Sequence, residues 1–196
     1  KQLPAQTEGD AAGGQEFAAA LAQLSTAYIA AAFAKAGFRW QEGTHWRSEQ
    51  IARQLGVIPS HRRLLERMLG LLAEGGLIQP AADGWRLLQP PTQLDPDAQL
   101  AAMQARWGDA PELRLLARCG PRLSEVLRGV QEPLELLFPG GDFTDTMRLY
   151  AESPAAAIIG GLISEIAARL PAGRGLQIVE VGAGSGSATG AVLPLL

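Results

Sequence analysis

Sulfur and imidazole are scarce in this chain, which has 196 residues but only one cysteine, Cys119, and two histidines, His45 and His61. A lone cysteine excludes an internal disulfide framework and fits a reducing compartment, and Cys119 reads as a small buried hydrophobe. Net charge is also small. At -3 it offers no general attraction to nucleic acid or to an anionic membrane. No apolar run approaches the length of a membrane span, and no basic, apolar, cleavable leader is visible at the amino terminus, so the expected location is the cytoplasm. Lysine appears only at Lys1 and Lys35, beside frequent Ala, Leu, Arg, Gly and Pro, a balance that points to a high-GC bacterial gene. What is present is apolar: 47% hydrophobic residues can bury the core of one large domain or two small ones.

Residues 1–13 are polar and Gly-containing and read as a linker or disordered, with no structure expected before about Gly14. From Gln15 to Ala36, Phe17, Leu21, Leu24, Tyr28, Ala32 and Ala36 recur at helical spacing on an alanine-rich background, predicting an amphipathic helix stopped by Gly37. Ser48 can cap a short helix through Leu55, closed by Gly56, and Ser60 can cap a second through about Ala73, closed by Gly75 and Gly76. Two strand-like pieces, Leu77–Gln79 and Trp85–Leu88, flank Asp83-Gly84, a favoured tight turn. Helix, helix and hairpin together predict a winged-helix unit within residues 14–90. His61, Arg62, Arg63 and Arg67 would lie on or near the exposed side of its second helix, where a DNA-binding protein meets phosphates. The acidic whole favours instead a solvated face with some ion pairing.

Residues 91–152 read as a helical connector. A helix is expected around Gln99 to Trp107, then three short ones over Glu112–Cys119, Arg122–Arg128 and Pro133–Phe138, with prolines in first turns and Gly120 and Gly129 at ends. Leu113, Leu116, Leu123, Val126, Leu127, Leu134 and Leu137 are assigned to packing. Beyond them Ser153 and Pro154 open a helix with Ile159, Leu162, Ile163, Ile166 and Leu170 on one face, ended by Pro171.

The most informative segment follows. Leu176-Gln177-Ile178-Val179-Glu180-Val181-Gly182-Ala183-Gly184-Ser185-Gly186 is an apolar strand running into three alternating glycines with an acid before them. Such spacing lets a strand turn sharply into a helix and lets backbone N–H groups approach a ligand. A Gly-rich turn in any βα unit is the bland alternative. The form Glu-x-Gly-x-Gly-x-Gly resembles motif I of the S-adenosylmethionine-dependent methyltransferases more than the Gly-x-Gly-x-x-Gly of dinucleotide folds. That resemblance implies that Gly182, Ala183, Gly184 and Gly186 pass under the methionyl part of the cofactor, with Glu180 close by.

A second likeness is more specific. Leu123-Ser124-Glu125-Val126-Leu127-Arg128-Gly129, then Pro133-Leu134-Glu135-Leu136-Leu137-Phe138-Pro139-Gly140-Gly141, then Leu149-Tyr150-Ala151-Glu152-Ser153-Pro154 resembles the lid subdomain of carbon-methyltransferase domains in modular (type I) polyketide synthases, and Ala191 to Leu196 continues it. The winged-helix unit fits the same order, since many methyltransferases carry one as an amino-terminal accessory part. The implied fold is a mainly α lid with a winged-helix unit, followed over residues 153–196 by the first βα unit of a Rossmann-like core.

The implied activity is transfer of a methyl group from S-adenosylmethionine to the α-carbon of a β-ketoacyl chain on an acyl carrier protein. Partners would be that carrier and neighbouring synthase domains, with no nucleic acid and no membrane. The family's base is a histidine with a supporting acid, carried after motif I. His45 and His61 occupy no such position, so no catalytic residue and no metal ligand is assigned. Tyr150 is implied to border the cofactor pocket; an amphipathic aromatic packing lid on core is the plain alternative. The family's motif I often carries threonine and a further glycine where this chain has Ser185-Gly186-Ser187-Ala188.

The sequence stops ten residues after Gly186. One parallel strand is apolar on both faces and needs neighbours, and the acid that binds the ribose hydroxyls is expected roughly 20 residues beyond the glycines. The chain alone is therefore expected to be inactive and to bind cofactor incompletely. Three readings stand: the amino-terminal piece of a longer methyltransferase; a methyltransferase-derived adaptor supporting a neighbouring loading-module domain; and a winged-helix DNA-binding protein.

Overall fold

The computed structural model describes residues 8–41, 43–91, 94–151, 161–163, 165–166, 169, 179–182, 184, 186, 189–190 and 193. Helices dominate: α1 (Glu8–Lys35), α2 (Ser48–Leu55), α3 (Arg62–Glu74), α4 (Pro96–Trp107), α5 (Pro111–Cys119), α6 (Leu123–Leu127), α7 (Pro133–Leu137) and α8 (Thr144–Ala151). The strands β1 (His45–Trp46), β2 (Ile78–Ala81) and β3 (Gly84–Leu87) form one small antiparallel sheet in the order β1-β3-β2. By contact the chain divides into two compact units, Gln6–Leu137 and one carried by Phe138–Leu196. The division falls inside the stretch 91–152 read from sequence as one connector. Arg118 explains why α7 stays with the first unit: its guanidinium donates to the Leu136 carbonyl from Nε at 2.5 Å and to that of Leu137 from Nη2 at 3.4 Å.

Helix α1 differs from expectation in three ways. It starts at Glu8, ahead of the expected Gly14, because Ala11 and Ala12 propagate helix well enough to offset Gly13 and Gly14. Its second half is enclosed rather than amphipathic, with Leu24, Thr26, Ala27, Tyr28, Ile29, Ala30, Ala32 and Phe33 all buried. A helix apolar all round is a core helix. Its Gly13–Lys35 stretch is also long and apolar enough to cross a membrane by length and composition, contrary to the sequence reading. Those apolar residues are instead spent on α3, α4, α5 and α6. Buried Thr26 is tolerated because its hydroxyl donates to the Ala22 carbonyl one turn back at 2.9 Å.

Two clusters hold the first unit together. In the larger, Phe33 of α1 meets Ile51 and Leu55 of α2, Leu65, Leu69 and Leu72 of α3, and Ile78 of β2, each at most 1% exposed. At about 1.5–3 kcal/mol per buried large aliphatic side chain, this cluster is the main favourable term for the unit. Phe38, Trp40 and Trp46 extend it as an aromatic corner with ring centroids 4.9–6.1 Å apart. In the smaller cluster Leu24 and Tyr28 of α1 pack on Met103 of α4 and Leu113 of α5.

Local signals were shifted by tertiary contacts. Ser48 does not cap α2. Its hydroxyl accepts a hydrogen bond from the Trp85 indole at 3.1 Å, so Arg47 takes the cap position and its N–H is satisfied by Gln50 Oε1 at 2.8 Å. Ser60 sits inside a 3-10 turn, Pro59–His61, and α3 begins at Arg62. The hairpin turn lies at Ala82-Asp83, with Gly84 drawn into the ladder opposite Ala81. Crowding is the reason: a Cβ on Gly84 would stand 2.2 Å from the carbonyl oxygen of Trp46 on β1. Strand β1 itself, paired as His45↔Arg86 and Trp46↔Trp85, has only two residues and leaves no periodic signal in the sequence.

The connector helices fall within a few residues of expectation. Helix α4 starts at Pro96 under an Asp95 cap that accepts from Asp97 N and Ala98 N, and a 3-10 turn, Gly120–Arg122, leads into α6. Leu113, Val126 and Leu127 are buried as packing residues, but on α7 Leu134 is 65% exposed and Leu137 37%, so these two leucines are not packed away among the described residues. Cys119 is half-buried, and that burial pushes its thiol pKa up, against the smaller effect of Arg118.

Candidate functional site

Within Phe138–Leu196, α8 opens on a cap. Asp142 Oδ1 accepts from Thr144 N at 2.9 Å and from Thr144 Oγ1 at 2.6 Å, while the rings of Phe138 and Phe143 meet at a tilt, centroids 4.5 Å apart, across the Pro139-Gly140-Gly141 turn. Tyr150 lies in the last turn of α8 with its side chain largely exposed. Phe143 and Met147 are also exposed and share its helical face at i, i+4 and i+7.

The glycine loop is the other segment to which the sequence assigns a role. Gly182, Gly184 and Gly186 have φ of 77°, 54° and 71°, all in the left-handed region where a side chain is strained. Each of the three glycines read from sequence thus takes a backbone conformation that favours glycine. Among the described residues, no atom lies within 4 Å of the place a Cβ would occupy on Gly182 or Gly186, and only the Gly182 carbonyl approaches that place on Gly184, at 3.6 Å. No described residue covers the backbone face of the loop there. The loop closes on itself by a hydrogen bond from Gly190 N to the Gly186 carbonyl at 2.8 Å.

Glu180 is exposed, and its carboxylate accepts a hydrogen bond from the Thr189 hydroxyl. This contact brings the acid before the glycines together with the helical turn after them. Thr189 was missed in the sequence, where only its place three residues past Gly186 could have drawn attention. Ala183 lies outside the described residues, as do Leu176, Gln177 and Ile178 of the expected strand, and Ser153, Pro154, Ile159, Leu170 and Pro171 of the expected helix. The described neighbours Val179 and Val181 are 84% and 93% exposed, and Leu162 and Ile166 are 50% and 61% exposed. Apolar residues of this kind ordinarily face sheet and helix partners.

Both histidines lie in the other unit, His45 on β1 and His61 in the 3-10 turn before α3. Among the described residues no group of three or more His, Cys, Asp or Glu could hold a metal ion. The loop fits the methionyl part of S-adenosylmethionine in two respects: its backbone is open, and an acid stands at its start.

No family model matches the chain. Individual proteins do. A non-reducing polyketide synthase of Aspergillus calidoustus (ausA) is 30% identical over 176 residues, and the methylphloroacetophenone synthase of Cladonia uncialis is 29% identical over 179; these matches cover 85% and 86% of this chain and 7% of each synthase. These curated relatives are fungal, so the bacterial source inferred from composition gains no support from them. Among solved structures, the CurJ carbon methyltransferase superposes with a TM-score of 0.85 at 35% identity, covering 94% of this chain and 50% of that one. The DszA carbon methyltransferase gives 0.80 at 25%, covering 99% and 52%, and the CMeT domain of the citrinin polyketide synthase 0.70 at 26%, covering 90% and 48%. The chain thus spans about half the length of these solved domains and a small part of the curated synthases. By fold and by sequence it belongs to the carbon-methyltransferase domains of polyketide synthases.

Proposed function

We propose that the chain is the amino-terminal part of a methyltransferase acting in polyketide synthesis, which transfers a methyl group from S-adenosylmethionine to the α-carbon of an acyl-carrier-protein-bound β-ketoacyl intermediate. The observation that carries this reading is the run of left-handed φ values at Gly182, Gly184 and Gly186 directly after Glu180, in a chain 35% identical to a carbon methyltransferase of twice its span. Gly182, Ala183, Gly184 and Gly186 would hold the methionyl portion by backbone N–H groups, and Glu180, steadied by Thr189, would fix the loop's entry. When bound, the cofactor supplies an electrophilic methyl group. The chain's own share of the chemistry is to hold that donor in line with the acceptor carbon, with Tyr150 as a residue bordering the cofactor. The base lies among residues beyond this chain, which also supply the sheet partners that Val179 and Val181 require.

In this reading α2, α3 and the β2–β3 hairpin form a winged-helix unit within the lid. Support comes from how the hairpin is tied down: Asp83 accepts from Arg47 Nε and Nη2 at 3.1 and 2.9 Å, and Trp85 holds Ser48. On α3, Arg62 and Arg67 are taken up by Glu49 and Glu74 at 2.9 and 2.7 Å. Such pairing favours a lid over a DNA-reading surface, where these groups would meet phosphates. The adaptor reading draws on the exposed valines, which another domain could cover as well.

The test is to incubate the chain, joined to the remainder of its domain, with S-adenosylmethionine and a carrier-bound β-ketoacyl thioester, and to locate any new methyl group by tandem mass spectrometry. A methyl group on the α-carbon is expected. Methylation on oxygen, or cofactor binding with no transfer, would contradict the proposal, the second outcome favouring the adaptor.

A further inference from the structure

Between Glu180 and the turn that begins at Thr189 lie the three left-handed glycines, and among the described residues packing does little to hold this segment in shape. Val179 and Val181, on either side of the acid, are 84% and 93% exposed, and no described atom meets the Cβ places of Gly182 and Gly186. Glycine loses more conformational freedom on ordering than any other residue. A loop of this composition is therefore costly to keep in one conformation.

Two polar ties cross the segment. The Gly190 N–H donates to the Gly186 carbonyl at 2.8 Å and closes only the last turn. The Thr189 hydroxyl donates to Glu180 Oε2 across nine positions, and among the described residues this is the bond that brings the start of the loop to its end. Its acceptor is a carboxylate, which makes it stronger than a bond between neutral groups. Thr189 is also β-branched, so its hydroxyl samples few rotamers. Only Oε2 of the acid is engaged among the described residues, and Oε1 keeps its capacity to accept.

We propose that Thr189 is a positioning residue of the cofactor site, its hydroxyl clasping Glu180 so that the Gly182–Gly186 backbone is ordered before S-adenosylmethionine arrives. The inference rests on the methyltransferase reading above and adds the group that pre-orders the loop. Part of the ordering cost is then met in the free protein rather than at the moment of binding, which raises affinity without any contact between Thr189 and the ligand. Loss of such a residue shows in Kd and in the KM for the cofactor more than in kcat.

The test compares wild type, Thr189→Val and Thr189→Ser in the chain joined to the remainder of its domain. Valine keeps the branched shape and removes the donor; serine keeps the donor and removes the methyl group. Hydrogen exchange of peptides spanning Glu180–Gly190, followed by mass spectrometry without cofactor, reads the clasp itself, and calorimetric titration with S-adenosylmethionine reads its effect on affinity. Thr189→Val should speed exchange and weaken binding, each by about three- to tenfold, the net worth of one hydrogen bond. Thr189→Ser should recover most of both. Glu180→Gln, which removes the charge from the acceptor, should speed exchange in the same peptides and carries the test if Thr189→Val misfolds. Exchange unchanged in Thr189→Val while wild type binds the cofactor would overturn the clasp and leave the methyltransferase reading standing, as would faster exchange with unaltered affinity. Equal losses in the valine and serine variants would also overturn it, since the hydroxyl would then not be the group responsible. No binding by wild type would overturn both the clasp's role and the methyltransferase reading.

Discussion

Gly120 offers a clean contest between backbone and packing. It sits at the end of α5 with φ -54° and ψ -53°, ordinary helical values that any residue adopts. By backbone entropy alone Gly120→Ala should stabilise the protein by about 0.5–1 kcal/mol. The new methyl carbon, however, would stand 2.4 Å from Tyr28 Cγ and 2.6 Å from both Cδ atoms, where carbon atoms prefer about 3.5–4.0 Å. A χ2 rotation leaves Cγ where it is, and a χ1 change would drive a ring that is only 2% exposed into its packed neighbours. Either α1 or the 3-10 turn must move by about an ångström, an overpacking cost of roughly 1–3 kcal/mol taken at its upper end. The net expectation is a loss of about 2 kcal/mol, lowering the melting temperature by roughly 5–10 °C. Gly70→Ala in α3 is the control, since its Cβ would meet only Arg67 Nη1 at 3.6 Å, and it should stabilise by about 0.5–1 kcal/mol. Urea titrations followed by tryptophan fluorescence suit both, because Trp40, Trp46, Trp85 and Trp107 all lie in the Gln6–Leu137 unit. Opposite signs are expected; a Gly120→Ala protein as stable as wild type would refute the packing of α1 against this turn.

Burial, with a smaller contribution from Asp97, raises the Tyr28 pKa. A group whose pKa is higher in the folded state contributes stability below its unfolded value near 10 that is lost as pH rises through the folded value. Tyr28→Phe should therefore flatten the decline in stability above that pH, measured by urea midpoints across the alkaline range; since the Tyr28 hydroxyl is buried without a partner in the described structure, it should cost little at neutral pH. An unchanged alkaline slope would contradict the burial. Leu113, fully buried, and Leu134, 65% exposed, should separate under substitution by alanine: about 2–5 kcal/mol lost at Leu113 and within about 0.5 kcal/mol at Leu134. Equal losses in denaturant titration would place α7 in the core.

How much of this was legible in the sequence depended on the range of the interaction responsible. Helices with prolines in their first turns and glycines after their ends, such as α5, were found within a residue or two, because caps and stops are local chemistry. The capping of α2 was misread because Ser48 is claimed by Trp85, 37 positions away in sequence, and the turn at Ala82-Asp83 was displaced by the close passage of β1. Contacts of that range leave no periodic trace. Helix α1 reads as amphipathic because alanine counts weakly as hydrophobic; only its neighbours show that Ala27, Ala30 and Ala32 of its second half are buried. At the site, the glycine spacing carried its meaning directly into φ, whereas Thr189 entered by a hydrogen bond that spacing alone could not announce.

The central claim is that the Gly182–Gly186 loop holds S-adenosylmethionine, and calorimetric titration tests it most directly. The protein to use is this chain joined to the rest of its domain, wild type against Gly184→Val, a β-branched residue placed where φ is 54° and disfavoured by about 1–2 kcal/mol before any ligand is considered. Saturable binding by wild type and its loss in the variant, with the Gln6–Leu137 unit still folded by tryptophan fluorescence, is the expected result. Equal affinity in the two proteins would contradict the assignment of the loop.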